Sequence, residues 1–231
     1  MRFIIKEQPY EKIVAAGKYR YELDGMPTGA VESWRITAVT DGYHFLRVDL
    51  DAREAESGHS YLYHAVLNPD GQVERLKYRF WGNGLEIVGD VVLDDEAVTA
   101  TRKVNGTDYD QALDLPKGYR FWFPSVAGLH FAGWRGNDPK TAVTLNSHIG
   151  GPDTLAVQVV EFEYYPLITD HLEMEAAGKV RPYSPWRLAW NDQERIIWRD
   201  AETGWPIGME RLKWKGGGRL TAVATQYIRY Q

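Results

Sequence analysis

Turn-forming dipeptides break the first half of this chain into short runs, and that leaves little room for anything but hairpins. Asp24-Gly25, Asp41-Gly42, Asp70-Gly71 and Asn105-Gly106 each separate two runs of alternating character. Asn105-Gly106 is the strongest of them, because a two-residue hairpin turn needs positive φ at both central positions and Asn-Gly supplies it. The run before the first break shows the alternation plainly. Tyr19, Tyr21 and Leu23 interleave with Lys18, Arg20, Glu22 and Asp24, which is the period of two of a half-buried strand. Leu85–Leu93 and Ala97–Val104 form a further hairpin across Asp94-Asp95-Glu96, and Thr107–Leu113 follows Asn105-Gly106.

Turn chemistry also predicts registers. A three-residue loop at Thr40-Asp41-Gly42, with Gly42 left-handed, pairs Trp34 with Val48, Ile36 with Leu46 and Ala38 with His44. A two-residue turn would oppose Trp34 to Asp49, so the first register is preferred because it keeps the apolar residues on one face. The same loop at Pro69-Asp70-Gly71 pairs Leu76 with His64 and Tyr78 with Leu62, leaving Tyr61 and Tyr63 outside with Lys77 and Arg79.

A tetrapeptide recurs. Glu74-Arg75-Leu76-Lys77 reappears as Glu210-Arg211-Leu212-Lys213, each copy followed by an aromatic residue, Tyr78 or Trp214. The chain therefore reads as two related antiparallel halves, about 1–113 and 141–231, within a single domain over 1–231. They are joined by an aromatic, proline-bounded segment at 114–140 in which Ser125–Trp134 is the one helix candidate. Strands resume at Thr141–Ser147 and Thr154–Tyr165, then Leu172–Ala177, Trp186–Trp190, Glu194–Arg199, Trp205–Lys215 and Arg219–Tyr230. Many hairpins in one large domain curl into an unclosed barrel or β-roll, so the expected fold is all-β with a concave face.

That face should gather the large apolar side chains. Trp34, Ile36, His44, Leu46, Leu62, His64, Tyr78, Trp122, Trp134, Trp198 and Trp214 are the candidate ligand-binding residues. The nine tryptophans carry most weight, since each can bury roughly 150–250 Å². Arg35, Arg47 and Arg120 are candidates for contacting a polar head group.

Other chemistries find little support. The net charge of −5 argues against nucleic acid, whose binders usually carry a basic patch. With no cysteine, disulfides, thiol catalysis and thiolate-bound zinc are excluded. The histidines (His44, His59, His64, His130, His148 and His171) lack close helical metal spacing. Asp49 and Asp51 share the outer face of their strand and read as solvated. Ser125 lacks the glycine context of a nucleophile elbow, and Gly216-Gly217-Gly218 joins two strands, unlike a phosphate loop. No catalytic set, cofactor or metal is expected. The apolar run after Met1 is too short for a signal peptide, and no window approaches the ~18 apolar residues of a membrane span. The expected location is the cytoplasm, or the periplasm if a leader was removed.

The pattern resembles a group of bacterial β-roll families. These include the lipoprotein carriers of LolA/LolB type, the families named for glycolipid binding, and related domains of unknown function. The resemblance rests on Trp34…Asp41-Gly42…Leu50, on Asn68-Pro69-Asp70-Gly71 before Glu74–Phe80, on Leu115-Pro116 with the helix candidate after it, and on Ile197-Trp198-Arg199-Asp200…Gly204-Trp205-Pro206. It implies an unclosed barrel whose concave face holds acyl chains. The reading that follows is a non-enzymatic binder of a hydrophobic or amphipathic small molecule or lipid, acting as monomer or homodimer. A lipocalin-like hydratase or isomerase using the same cavity, and a structural or assembly module, are the alternatives.

Overall fold

The hairpins marked by the turn dipeptides are all present in the computed structural model, which describes residues 1–115, 118–133, 141–211 and 217–230. The first eight strands are β1 (Lys12–Leu23), β2 (Met26–Ala38), β3 (His44–Ala52), β4 (His59–Leu67), β5 (Val73–Gly82), β6 (Leu85–Leu93), β7 (Ala97–Val104) and β8 (Thr107–Asp114). The others are β9 (Arg120–Trp122), β10 (Thr141–Leu145), β11 (Val157–Pro166), β12 (Leu172–Ala176), β13 (Lys179–Trp190), β14 (Gln193–Asp200), β15 (Pro206–Arg211) and β16 (Leu220–Arg229). Positive φ at Asp24, Asp41, Asn83 and Asn105, each followed by a positive-φ glycine, makes the reversals.

The strands form one curled, unclosed sheet in the order β8-β7-β6-β5-β4-β3-β2-β1-β16-β15-β14-β13-β11-β10-β9, with β12 added beside β13. Strands β1 to β8 are a plain meander, and β1 pairs with β16 to join it to the remainder. Among the described residues, only β9 and β10 run parallel. The sheet edges β8 and β9 do not pair. A side chain links β8 to the start of β11 instead: the Gln111 amide donates to the Val157 carbonyl (3.2 Å) and accepts from its N–H (3.1 Å). Pro185 sits where the β13 ladder changes partner from β12 to β11. No helix among the described residues is long and apolar enough to cross a membrane.

The β2–β3 register is the expected one, with Trp34 opposite Val48, Ile36 opposite Leu46 and Ala38 opposite His44. The β4–β5 register is not. The ladder shifts between Val66 and Leu67, so Tyr63 faces Tyr78, Ala65 faces Leu76, Leu62 faces Arg79 and His64 faces Lys77. One extra residue on a strand reverses every side chain beyond it. Tyr61 and Tyr63 therefore point into the concave face, and Leu62 and His64 point out. The recurring tetrapeptide is also set differently in its two positions. Leu76 is buried and Arg75 pairs with Asp90 at the surface. In the second copy Arg211 faces inward opposite Arg195, while Glu210 bonds Arg219. Leu212, Lys213 and Trp214 lie outside the described residues.

Three aromatic rings lie across glycines on adjacent strands: Trp34 over Gly17, Tyr78 over Gly89 and Trp198 over Gly208. A Cβ at any of these glycines would overlap the ring, so the glycines create the space.

The convex face of β2–β4 is covered as well. Residues 2–11 cross it as a strap, with Arg2 on Asp49, Arg35 on Glu7 and Arg47 on Glu11. Asp49 is thus 6% exposed, correcting its reading as a solvated carboxylate. Beneath the strap His64 is 3% exposed. Burial, and then the Arg47 guanidinium, pull its imidazole down to about 4. Because the folded value lies below the unfolded one near 6.5, neutral His64 contributes stability above pH 6.5 that is lost as pH falls towards 4. The expected result is a one-proton contribution to the acid limb, about 1.4 kcal/mol per pH unit over that window. Urea midpoints of wild type and His64→Gln between pH 7 and 4 would show it, and parallel curves would refute it.

Candidate binding cavity

After β9 the chain turns into the concave space. Phe123, Val126, Ala127, Leu129, Phe131 and Ala132 are all buried there. The expected helix appears as a short 3-10 helix, Gly128–Gly133, with the Ser125 hydroxyl accepting the Gly128 N–H at 2.8 Å. Gly128, unfavourable for a helix, is needed because a Cβ there would overlap Phe123.

One carboxylate tethers this inner segment. Glu32 of β2 is fully buried and accepts three hydrogen bonds: from the Tyr21 hydroxyl at 2.7 Å, and from the Val126 and Ala127 N–H groups at 2.9 Å each. Burial pushes its carboxyl above the ordinary range, and those same donors pull it part of the way back. Nearby, the Tyr78 hydroxyl bonds the Leu155 carbonyl at 2.7 Å, and Arg102 bonds the carbonyls of Pro152 and Thr154. A second loop is thereby held against the inner face of β5–β7.

Beside the inner segment lies a cavity of about 1260 Å³. Its walls come from both parts of the sheet: Tyr21 and Ala30 of β1 and β2, Leu50, Ala52, His59 and Tyr61 of β3 and β4, Thr144 and Leu145 of β10, and Met209 and Arg211 of β15. The inner segment adds Trp122, Pro124, Ser125 and Leu129. Exposed Glu56, Ser57, Asp192, Gly217 and Gly218 stand at its rim.

The β13–β14 hairpin turns through left-handed Asn191 and supplies the most polar wall, Trp190, Gln193 and Arg195. Arg195 is 7% exposed, and its guanidinium lies 5.3 Å from the Trp190 ring centroid. Directly opposite on β15 stands Arg211. The Gln193 side-chain oxygen accepts from both guanidinium groups, 3.0 Å from each. Burial, and then Arg211, pull Arg195 down to about 9; burial also lowers Arg211. Trp122 packs edge-on against Trp190 with centroids 5.4 Å apart, and among the described residues its buried indole N–H has no hydrogen-bond partner.

Of the candidate ligand-binding residues, Trp122 lines this cavity. Trp34 is core, 4.6 Å from Trp205 between ring centroids, with Leu46 buried and Ile36 packed on that core. His44 is half-buried at the start of β3. Tyr78 anchors the loop at Leu155. Leu62 and His64 lie under the strap side of the sheet, and Trp198 packs with Tyr183 over Gly208. Trp134 and Trp214 lie outside the described residues. The proposed head-group arginines are placed elsewhere: Arg35 and Arg47 bind the strap, and Arg120 donates to the Ala132 carbonyl. Arg195 and Arg211 were missed, although a signal existed. Arg195 shares a strand face with Ile197, and Arg211 shares one with Met209 and Ile207. A charge on an apolar face is an exception that asks for a reason.

No family model matches the chain, and no curated protein matches it. Among solved structures it is similar to the crystal structure of MucB, with 14% identity and a TM-score of 0.36 over 96% of this chain and 55% of that one. It thus spans about half of the MucB chain. It is also similar to a lipoprotein candidate from Parabacteroides distasonis, with 8% identity and a TM-score of 0.35 over 95% of this chain and 97% of that one. Similarity at this level does not carry function from one chain to another.

Proposed function

We propose that the protein binds a hydrophobic or amphipathic small molecule, with an acyl chain or glycolipid as the ligand type, in the cavity between the inner segment and the curled sheet. The observation that supports this is the cavity itself. Its volume of about 1260 Å³ exceeds the range of roughly 300–1,000 Å³ usual for small-molecule sites. Its walls combine aliphatic and aromatic side chains with a few convergent polar groups, the composition that such sites share. The glycine-backed aromatics and the Glu32 tether hold the surrounding walls in place without filling it.

Binding is tested with straight-chain alcohols, read by native mass spectrometry and by tryptophan fluorescence, for which Trp122 and Trp190 stand in the wall. Each added methylene is worth about 0.8 kcal/mol when buried, so affinity should rise about three- to fourfold per carbon from octanol to dodecanol. Solvent extraction of freshly purified protein would then identify any ligand carried through purification. If neither dodecanol nor dodecanoate forms a complex up to its solubility limit, the proposal is wrong.

A further inference from the structure

We infer that the cavity selects an amphiphile with an anionic head group, a carboxylate or phosphate monoester seated between Arg195 and Arg211 with its apolar tail in the cavity. This rests on the binding proposal above and deepens it. The argument begins with an arrangement that folding alone disfavours. Arg195 and Arg211 are directly opposed across the β14–β15 ladder and face the same interior space, and like charges placed so are destabilising. Arg195 is nine-tenths buried, and among the described residues no carboxylate lies within ion-pair distance of it. Its guanidinium has five donors, and among the described residues it donates to the Glu194 carbonyl at 2.8 Å and the Gln193 amide oxygen at 3.0 Å. That amide oxygen is neutral and shared with Arg211.

A second, independent observation lies on the same wall. Trp122 is 1% exposed and lines the cavity, and among the described residues its indole N–H has no hydrogen-bond partner. Through Trp190, which touches both the Arg195 guanidinium and the Trp122 ring, cationic and indole donors are held on one wall. Buried polar groups without partners are rare in native proteins and call for an explanation. A planar or tetrahedral oxyanion answers the arginine pair: it screens the two guanidinium groups from one another and accepts charge-assisted hydrogen bonds from them. Leu50, Ala52, Leu129, Leu145 and Met209, from the other walls, suit an alkyl tail.

The test holds the tail constant and varies the head group. Dodecanoate, dodecyl phosphate, dodecanol and dodecyltrimethylammonium are titrated into the full chain, with inorganic phosphate as the tail-free control. Both anions should bind about tenfold or more tighter than dodecanol, as expected for charge-assisted hydrogen bonds, and the ammonium amphiphile should bind more weakly than dodecanol. In Arg195→Gln and in Arg211→Gln, the dodecanoate-to-dodecanol affinity ratio should fall towards one, because the anion loses a charge-assisted partner that the alcohol does not use. A merely structural role would lower both affinities together and leave the ratio unchanged, which would overturn the inference. Equal binding of dodecanol and dodecanoate by the wild type would overturn it too while leaving the binding proposal intact. Binding of none of the four would instead remove the binding proposal. Inorganic phosphate binding as tightly as dodecyl phosphate would show a free-anion site and overturn the amphiphile assignment.

Discussion

Replacing Glu32 by alanine is expected to lower stability by about 3–5 kcal/mol, the range for breaking a buried charged network. Three donors converge on this carboxylate, the Tyr21 hydroxyl and the backbone N–H groups of Val126 and Ala127. Alanine would strand all three inside the protein, and each unsatisfied donor costs on the order of 1–3 kcal/mol. Glu32→Gln should fall between alanine and wild type, since one amide oxygen still accepts while the amide nitrogen meets a donor. Urea unfolding curves measure the cost. A loss below about 1 kcal/mol in Glu32→Ala would mean that apolar packing alone holds the inner segment. The same variant should also weaken dodecanol binding, because Trp122, Pro124, Ser125 and Leu129 form one wall of the cavity.

The second large effect is expected on the opposite face of the sheet. Arg47 and Glu11 form an ion pair in which each side chain is 1% exposed. Arg47 donates from both terminal nitrogens to the two Glu11 oxygens, at 2.8 Å each, and from Nε to the Ile5 carbonyl at 3.0 Å. Arg47→Met should cost about 3–5 kcal/mol, because it leaves the Glu11 carboxylate buried without its cation. Adding Glu11→Leu should recover most of the loss, since a hydrophobic pair of similar volume often replaces a buried ion pair without penalty. A double mutant no more stable than Arg47→Met would show that the strap depends on this pair specifically. The pH dependence gives a second check. Burial pushes the Glu11 carboxyl up, but Arg47, Thr37 and the Gln8 N–H bring it below its ordinary value. In wild type, therefore, Glu11 contributes stability above the unfolded carboxyl value near 4.5 that is lost as pH falls through the folded value. Without Arg47, burial favours the neutral carboxyl, so the deficit of Arg47→Met should shrink as the medium is acidified and Glu11 takes up a proton.

Much of the sheet could be read before the structure, because local turn chemistry decides local pairing. Asp41-Gly42 marked a loop whose geometry brought Trp34 opposite Val48 and Ala38 opposite His44. Where the reading failed, one residue was responsible. The irregularity between Val66 and Leu67 shifts the β4–β5 ladder by one, and a period-of-two pattern then assigns Tyr61, Tyr63, Leu62 and His64 to the wrong faces. The reading of Asp49 failed for another reason. Its strand does point it outward, but residues 2–11 cover it, and nothing periodic in that segment announces where it docks. The cavity was legible in part. Trp122 was identified by its aromatic neighbourhood, whereas Glu32 beside Trp34, and Arg195 beside Ile197, were charges on faces otherwise apolar. Such exceptions to the pattern are where function and strain tend to lie, and here they mark the tether and the proposed anion seat.

The pairing of β1 with β16 has a consequence for how the chain is made. During synthesis the strands β1 to β8 emerge in the order in which they pair, so that meander can assemble from neighbours alone. Strand β1 meanwhile waits with one edge open until β16, the last of the strands, leaves the ribosome. An open edge in a nascent protein invites pairing with the wrong partner. Lys12, Lys18, Arg20 and Glu22 place charge along this strand, and its ladder to β16 shifts between Lys18 and Tyr19. Charge and irregularity are two of the devices that discourage a foreign strand. The features that make β1 an imperfect neighbour for β16 thus protect the chain during the interval before β16 exists.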